Sequence, residues 1–175
     1  KIAADHLAIS YYCSFNLPVK IVRPFNTYGP RQSGRAVIPT IIAQGLSGNG
    51  EIKLGNLSPT RDMVYVKDTC YGFLEIYNSN TFIGEVTNIG MNSEISIGDL
   101  ANQIVNLIDL NISIVEDEQR VRPDNSEVER LVCNNTRLLK HSSWQPEYSL
   151  KSGLLETIEW FRENGEYTKV DRYHI

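Results

Sequence analysis

What this sequence lacks narrows its chemistry first. Its 175 residues carry only three cysteines, Cys13, Cys70 and Cys133, widely spaced and with no Cys-x-x-Cys pair. Such an odd count and spacing match no common zinc or disulfide framework, so no metal is expected and a reduced, cytoplasmic setting fits best. Runs of Lys or Arg are missing too, and the formal net charge is −4. Both facts argue against nucleic acid or an anionic membrane surface as the main partner. No stretch is long and apolar enough to suggest a membrane span, and the first residues show no signal-peptide pattern. No Gly-x-Gly-x-x-Gly or Gly-x-x-Gly-x-x-Gly follows a strand anywhere, so the chain does not supply the usual pyrophosphate-binding turn. What is present is ordinary for folded protein: 41% hydrophobic residues, over a length that can enclose a sizeable core.

The rest of the chain is organised around Ile21–Arg31, Ile-Val-Arg-Pro-Phe-Asn-Thr-Tyr-Gly-Pro-Arg. Val19, Ile21 and Val22 are typed for a buried strand, and Pro24, with no N–H to donate to a ladder, stops it. Asn26, Thr27, Gly29 and Pro30 then read as a polar turn at the carboxyl end of that strand, where open α/β sheets place their ligands. This stretch resembles the signature of extended short-chain dehydrogenases/reductases, the NAD-dependent epimerases and dehydratases of nucleotide sugars. Ser58-Pro59-Thr60-Arg61-Asp62, Tyr65-Val66-Lys67-Asp68, Asn88-Ile89-Gly90, Arg122-Pro123-Asp124 and Trp144-Gln145-Pro146 follow in the family's order. The resemblance runs from Lys1 to about Tyr173. Within the family it is nearest to 4,6-dehydratases acting on UDP-N-acetylglucosamine, with UDP-glucose 4-epimerases and UDP-glucuronate decarboxylases next.

The fold so implied is α/β, the C-terminal part of an extended Rossmann-type fold: the last parallel strands plus a small α+β substrate-binding lobe. Residues 1–35 would end the Rossmann-type domain, 36–66 begin the lobe, 67–92 return to the sheet and 93–175 complete the lobe. The N-terminal dinucleotide-binding half would lie outside this chain. The resemblance further implies NAD, bound mainly by that half, a UDP-sugar or other nucleotide-sugar substrate, and a homodimer.

Ile2, Leu7, Ile9 and Tyr12, with Ala3, Ala4 and Ala8 between them, predict a helix that closes near Ser14–Asn16, before Pro18. In the family this helix follows a Tyr-x-x-x-Lys pair and lies at a dimer interface. The resemblance therefore makes Lys1 the catalytic lysine and a cofactor contact, with its tyrosine four residues upstream. Packing of this helix against its own sheet fits the same pattern. Pro24 is implied as a second cofactor contact. His6 reads as a surface or interface histidine, since nothing near it in sequence completes a triad.

Val37–Leu46 predicts a helix entered through Pro39 and ended at Ser47-Gly48-Asn49-Gly50. Val37 and Ile38 have two readings: core residues by their chemistry, or, by the resemblance, residues at the nucleotide base and ribose. Ile52–Gly55 and Arg61–Val66 predict strands. Arg61 offers a permanently charged fork for phosphate, or a plain ion pair with Asp62. Asp68 is expected to cap a helix over 69–77 in a structural role.

Gly84–Gly90 repeats the geometry of the first strand and turn, and makes Asn88 a second strand-end amide. That amide suits a phosphate or sugar hydroxyl, or its own turn. Leu100, Ile104, Leu107 and Ile108 mark one face of a helix, and Ile112–Val115 a strand. Arg120 and Arg122 stand two apart on a segment expected to be extended, pointing the same way, with Glu116, Asp117 and Glu118 near enough to neutralise them. The resemblance assigns Arg122 to the nucleotide phosphate or ribose and leaves Arg120 open. Trp144 is expected to anchor the C-terminal helices, and Ser149–Glu163 to form the last of them.

The reading that unites these features is an NAD-dependent nucleotide-sugar 4,6-dehydratase with a UDP-N-acetylglucosamine-like substrate, seen here as its substrate-binding portion. A 4-epimerase or decarboxylase of the same family, and a non-catalytic nucleotide-sugar binding module, are the alternatives. Asn26, Val37, Ile38, Arg61, Asn88 and Arg122 are the expected substrate contacts.

Overall fold

The computed structural model describes residues 1–108, 111–121 and 126–165. Arg122 lies outside the described residues, as does the tail from 166 onward.

Helix α1, Ile2–Phe15, ends where Asn16 turns left-handed (φ 53°) and gives its N–H to Tyr12 O, a common C-terminal stop for Asn. None of its residues is buried. Strand β1, Ile21–Pro24, ends at Pro24 and pairs in parallel with β6, Val86–Ile89. Only Ile21 of β1 is fully buried, so the strand is less enclosed than its apolar run suggested.

The polar turn expected at Asn26 is instead a short strand, β2 (Asn26–Tyr28), paired in parallel with β5, Met63–Tyr65. Polar Asn26 and Thr27 are held straight by that pairing, and the turn begins at Gly29 (φ 155°). A Cβ there would stand 2.5 Å from Val66 Cγ1, so only glycine fits. The connection from β2 to β5 carries helix α2, Val37–Leu46, and strand β3, Glu51–Leu54, which pairs in parallel with β8, Ser113–Glu116.

The single strand expected over 61–66 is broken. Thr60–Arg61 form β4, between antiparallel β7 (Ile95–Ser96) and parallel β9 (Arg130–Leu131). Asp62 follows β4 with its N–H still bonded to Leu131 O of β9, but its carbonyl accepts the Asn26 side-chain amide instead of a strand N–H, and its carboxylate accepts the N–H of Met91 and of Cys133.

Helix α3, Val66–Asn78, begins two residues before Asp68, so Asp68 is not its cap. The buried Asp68 carboxylate accepts the N–H of Glu147 and Tyr148, and its carbonyl accepts Trp144 Nε1–H. It ties the last segment to α3, which keeps its role structural. Helix α4, Ile97–Ile108, is capped by Ser96 Oγ, which accepts Asp99 N–H. Helix α5, Thr136–His141, is short, and α6 spans Leu150–Asn164 with Ser149 as its cap. Arg120, expected on an extended segment with Arg122, ends a 3₁₀ turn, Glu118–Arg120; its expected companion is outside the described residues. Asp117, which precedes the turn, caps it and pairs with Arg120.

Helices α2, α4 and α6 enclose the main core, which includes Ile38, Ile41, Ile42, Leu100, Ile104, Leu154 and Ile158. Each such side chain, fully removed from water, contributes about 1.5–3 kcal/mol relative to exposure. A second, smaller core joins Val64, Ile76, Phe82, Ile89, Leu138 and Trp144 between α3, β6 and α5.

Candidate anion-binding site

A cavity of about 430 Å³ opens where β2, the start of α2, the end of β3 and β4 meet. Its first wall is Asn26, Thr27 and Tyr28 with Gln32. Its second is Arg35, Ala36, Val37 and Ile38 with Thr40, and its third runs Lys53 to Asn56 with Pro59. Arg61, Met63, Ile97, Arg120 and Glu127 close it. Among the described residues, four cationic side chains thus line the cavity with one carboxylate, in a chain whose net charge is −4. Charge of one sign gathered in a cleft against the overall balance favours an anionic guest.

Arg61 is held firmly. Its Nη1 donates to Thr60 O (2.9 Å) and Val128 O (2.5 Å), and its Nη2 to Glu127 Oε1 (2.7 Å). Both charged side chains of that pair are mostly buried, 15% and 14% exposed. The ion pair weighed for Arg61 from the sequence, with Asp62, does not form; Glu127, distant in the chain, takes that place. Three of the five guanidinium hydrogens are used. The Nε–H and one Nη2 hydrogen have no acceptor among the described residues, and donors left over on a guanidinium suit a phosphate. Asn26 uses one Nδ2 hydrogen on Asp62 O (3.3 Å), and no donor among the described residues reaches its Oδ1.

At the entry to α2, Ala36 supplies no side-chain cap. The N–H groups of Val37 and Ile38 therefore end the helix uncapped where it borders the cavity, at its positive end. Ile38 is also fully buried in the main core, so one side chain packs the lobe while its backbone edges the cavity. The two readings of this position are compatible.

The remaining expected residues lie elsewhere. Asn88 donates to Asn134 O (3.3 Å) and is not among the cavity's residues, so the two strand-end amides do not converge there. Lys1 and Pro24 are exposed and also stand outside it. Arg120, left open by sequence, lines the cavity and pairs with Asp117 (3.2 Å). Gln32, Arg35, Lys53 and Glu127 were missed. The nearness of Gln32 and Arg35 to Pro30 and the helix start was a usable signal. For Glu127 there was none, because its partner Arg61 is far away in sequence.

Tyr28 lines the cavity and Tyr65 packs beside it. The Tyr28 phenol is pushed up by burial, then by Tyr65 and Asp68, and donates to Leu150 O. Tyr65 is pushed up by burial and by its bond to Glu156. Neither phenol supplies a base near neutral pH. Among the described residues no His/Cys/Asp/Glu group suited to a metal ion occurs.

Parallel strand pairs flanked by helices, with the cleft at the start of one of those helices, make an α/β fold of Rossmann type. Residues 1–157 match the family model described as GDP-mannose 4,6 dehydratase, and the chain belongs to that family. Human dTDP-D-glucose 4,6-dehydratase is 34% identical over 170 residues, which cover 94% of this chain and 47% of that protein. A Bacillus cytotoxicus UDP-N-acetyl-alpha-D-glucosaminuronate decarboxylase is 34% identical over 157 residues, 87% of this chain and 49% of that protein. Among solved structures, Bacillus anthracis dTDP-glucose 4,6-dehydratase in complex with NAD superposes with a TM-score of 0.81 at 30% identity, over 94% of this chain and 51% of that one. The chain spans about half the length of the curated relatives it matches. The family agrees with the resemblance read from the motifs, and the fold is that of part of an extended Rossmann-type enzyme.

Proposed function

We propose that this chain forms the substrate-binding part of an NAD-dependent nucleotide-sugar 4,6-dehydratase. The observation that carries the reading is the cationic cavity lined together by Asn26, by Arg61 with N–H groups to spare, and by Val37 and Ile38 at the uncapped helix start. A nucleotide diphosphate offers phosphate oxygens to the remaining N–H groups of Arg61, a hydroxyl to Asn26 Oδ1, and a base or ribose to the helix start. Arg122 joins this set by family position, and Asn88, whose amide is turned to Asn134 O, stands outside it. The substrate class is UDP-N-acetylglucosamine-like on the motif resemblance; the names of the human and Bacillus anthracis relatives favour dTDP-glucose as the second reading.

The bound NAD in the Bacillus anthracis relative supports NAD as the cofactor of the complete enzyme. Bound NAD supplies the acceptor for the hydride leaving sugar C4. This chain's own contribution on that side is Lys1 and Pro24, which are exposed and so open to a partner group. The ammonium of Lys1 would favour the ionised form of the tyrosine that takes the 4-hydroxyl proton. A homodimer through α1 is part of the reading, supported by exposed Ile2, Leu7, Tyr11 and Phe15 on a helix with no buried residue. A cytoplasmic location completes it.

The test is a titration of UDP and dTDP against the complete gene product and its Arg61→Ala variant. A product assay with UDP-N-acetylglucosamine and dTDP-glucose accompanies it. A 4-keto-6-deoxy product with either sugar supports the dehydratase; a C4 epimer points to the epimerase, loss of CO₂ from a uronate to the decarboxylase. Binding without any product points to the non-catalytic module. Equal affinity in Arg61→Ala removes Arg61 from the phosphate site.

A further inference from the structure

The sequence offered Asp62 only as a neighbour for Arg61, and the structure gives it different partners. Its side chain is fully buried, 0% exposed, yet among the described residues its carboxylate pairs with backbone N–H groups and no cation. One carboxylate oxygen accepts Met91 N–H (2.8 Å), and the other accepts Cys133 N–H (3.0 Å). Its own N–H donates to Leu131 O (2.9 Å), and its carbonyl accepts the Asn26 amide (3.3 Å). Four segments far apart in the chain meet on this residue: the start of β2, the break between β4 and β5, the turn after β6, and the exit of β9.

The surroundings are fitted to that carboxylate. Gly90 stands so close that a Cβ would lie 2.5 Å from Cys133 Cβ and 3.2 Å from Asp62 Oδ1. Asn135 Nδ2 donates to Gly90 O (2.8 Å), fixing the turn that presents the Met91 N–H. A buried carboxylate is costly unless donors are aimed at it, and a residue kept there at that cost is tied to what those donors hold. Asp62 joins the β1–β6 pair to the sheet that carries Arg61, and through its carbonyl it orients the amide of Asn26.

We propose that Asp62 is a positioning residue for the anion site: its carboxylate locks the two parts of the chain together so that Asn26 and Arg61 face one guest. It touches no ligand itself. The inference rests on the nucleotide-diphosphate reading of the cavity and deepens it.

The experiment compares Asp62→Asn with wild type in the complete gene product, at a temperature where circular dichroism shows both folded. The asparagine keeps the shape but turns an NH₂ toward one of the two backbone N–H groups. The expected result is UDP or dTDP binding at least tenfold weaker, with a shifted Asn26 side-chain amide signal by NMR in the absence of nucleotide. Ile104→Ala, a core variant that is destabilised away from the cavity, leaves both readouts at wild-type values. An unchanged Kd in Asp62→Asn, while wild type binds, overturns the positioning role and leaves the nucleotide reading standing. Failure of wild type to bind any nucleotide diphosphate overturns that reading instead, and the Asn26 signal then decides Asp62: a shift supports the role, no shift overturns it. Should Asp62→Asn not fold, Asn135→Ala carries the test by releasing the same turn from Gly90. A Kd about threefold weaker is expected there, and an unaltered one overturns the proposal.

Discussion

The lobe on α2, α4 and α6 and the region of α1, β1 and α3 treat their apolar side chains in opposite ways. In the lobe Ile41, Ile42, Leu100, Ile104 and Leu154 are entirely buried. On the other side Ile2 and Phe15 of α1 stay 76% and 73% exposed, and Tyr71, Phe73, Leu74 and Tyr77 of α3 are exposed as well. Monomeric surfaces rarely leave so many large apolar groups together. The difference teaches that this chain closes its own core beside the cavity, while its α1 and α3 faces leave large apolar groups in water.

Removing one side of that contrast has the largest expected effect. Ile104→Ala should cost about 2–5 kcal/mol of unfolding free energy, because the side chain is fully enclosed and the cavity it leaves cannot collapse. Urea denaturation checks this, and a loss under 1 kcal/mol would mean the lobe core is looser than described. Next comes the site itself. Arg61→Ala should weaken UDP or dTDP binding about 10- to 100-fold, since a hydrogen bond to a charged group contributes about 1.5–3 kcal/mol. Asn88→Ala should change it less than threefold, as its amide is turned to Asn134 O. Calorimetric titration of both variants sharpens the division between the two strand ends, and equal losses would erase it.

Acid should act more gently. The Glu156 carboxyl is held below its ordinary 4.5 by Lys67 and Tyr65, and Glu94 is held low by Arg130 and Thr60. A lowered folded-state value means the unfolded chain protonates first, so this stabilisation is complete above about pH 4.5 and is lost as pH falls through the folded values. Glu156→Gln should therefore flatten the acid limb of stability against pH, by a small amount because the pair is about half exposed; an unchanged limb would remove the pair from the account. Cysteine reactivity follows the same geography. Cys13 and Cys70 are exposed, while burial and the nearby Asp62 push the Cys133 thiol up to about 12. At pH 8 a thiol reagent should label the first two at once and Cys133 only on unfolding. The smallest change is expected at Leu7→Ser in the monomeric chain, within about 0.5 kcal/mol, because the residue is already in water. A larger loss would show that α1 is covered after all.

Much of the fold was legible because it rests on local patterns. Pro24 ended β1 and Pro39 lay in the first turn of α2, while the spacing of Leu100, Ile104 and Ile108 announced the buried face of α4. The short strand at Asn26–Tyr28 was illegible, since polar residues become a strand only when a partner, here Met63–Tyr65, pairs with them. The break at Asp62 and the true task of Asp68 were hidden for a related reason: each carboxylate answers to donors far along the chain.

For the site, residue chemistry near strand ends and helix starts was enough to select Asn26, Val37, Ile38 and Arg61, because a phosphate needs amides, guanidinium and free N–H groups, and only certain residues provide them. Which of the selected groups share one cleft was decided by the tertiary structure alone. Asn88 turned away to Asn134 O, and Glu127 came in to grip Arg61. Contacts of that kind depend on how separate segments are brought together in space, and no periodicity or spacing along a chain carries that information.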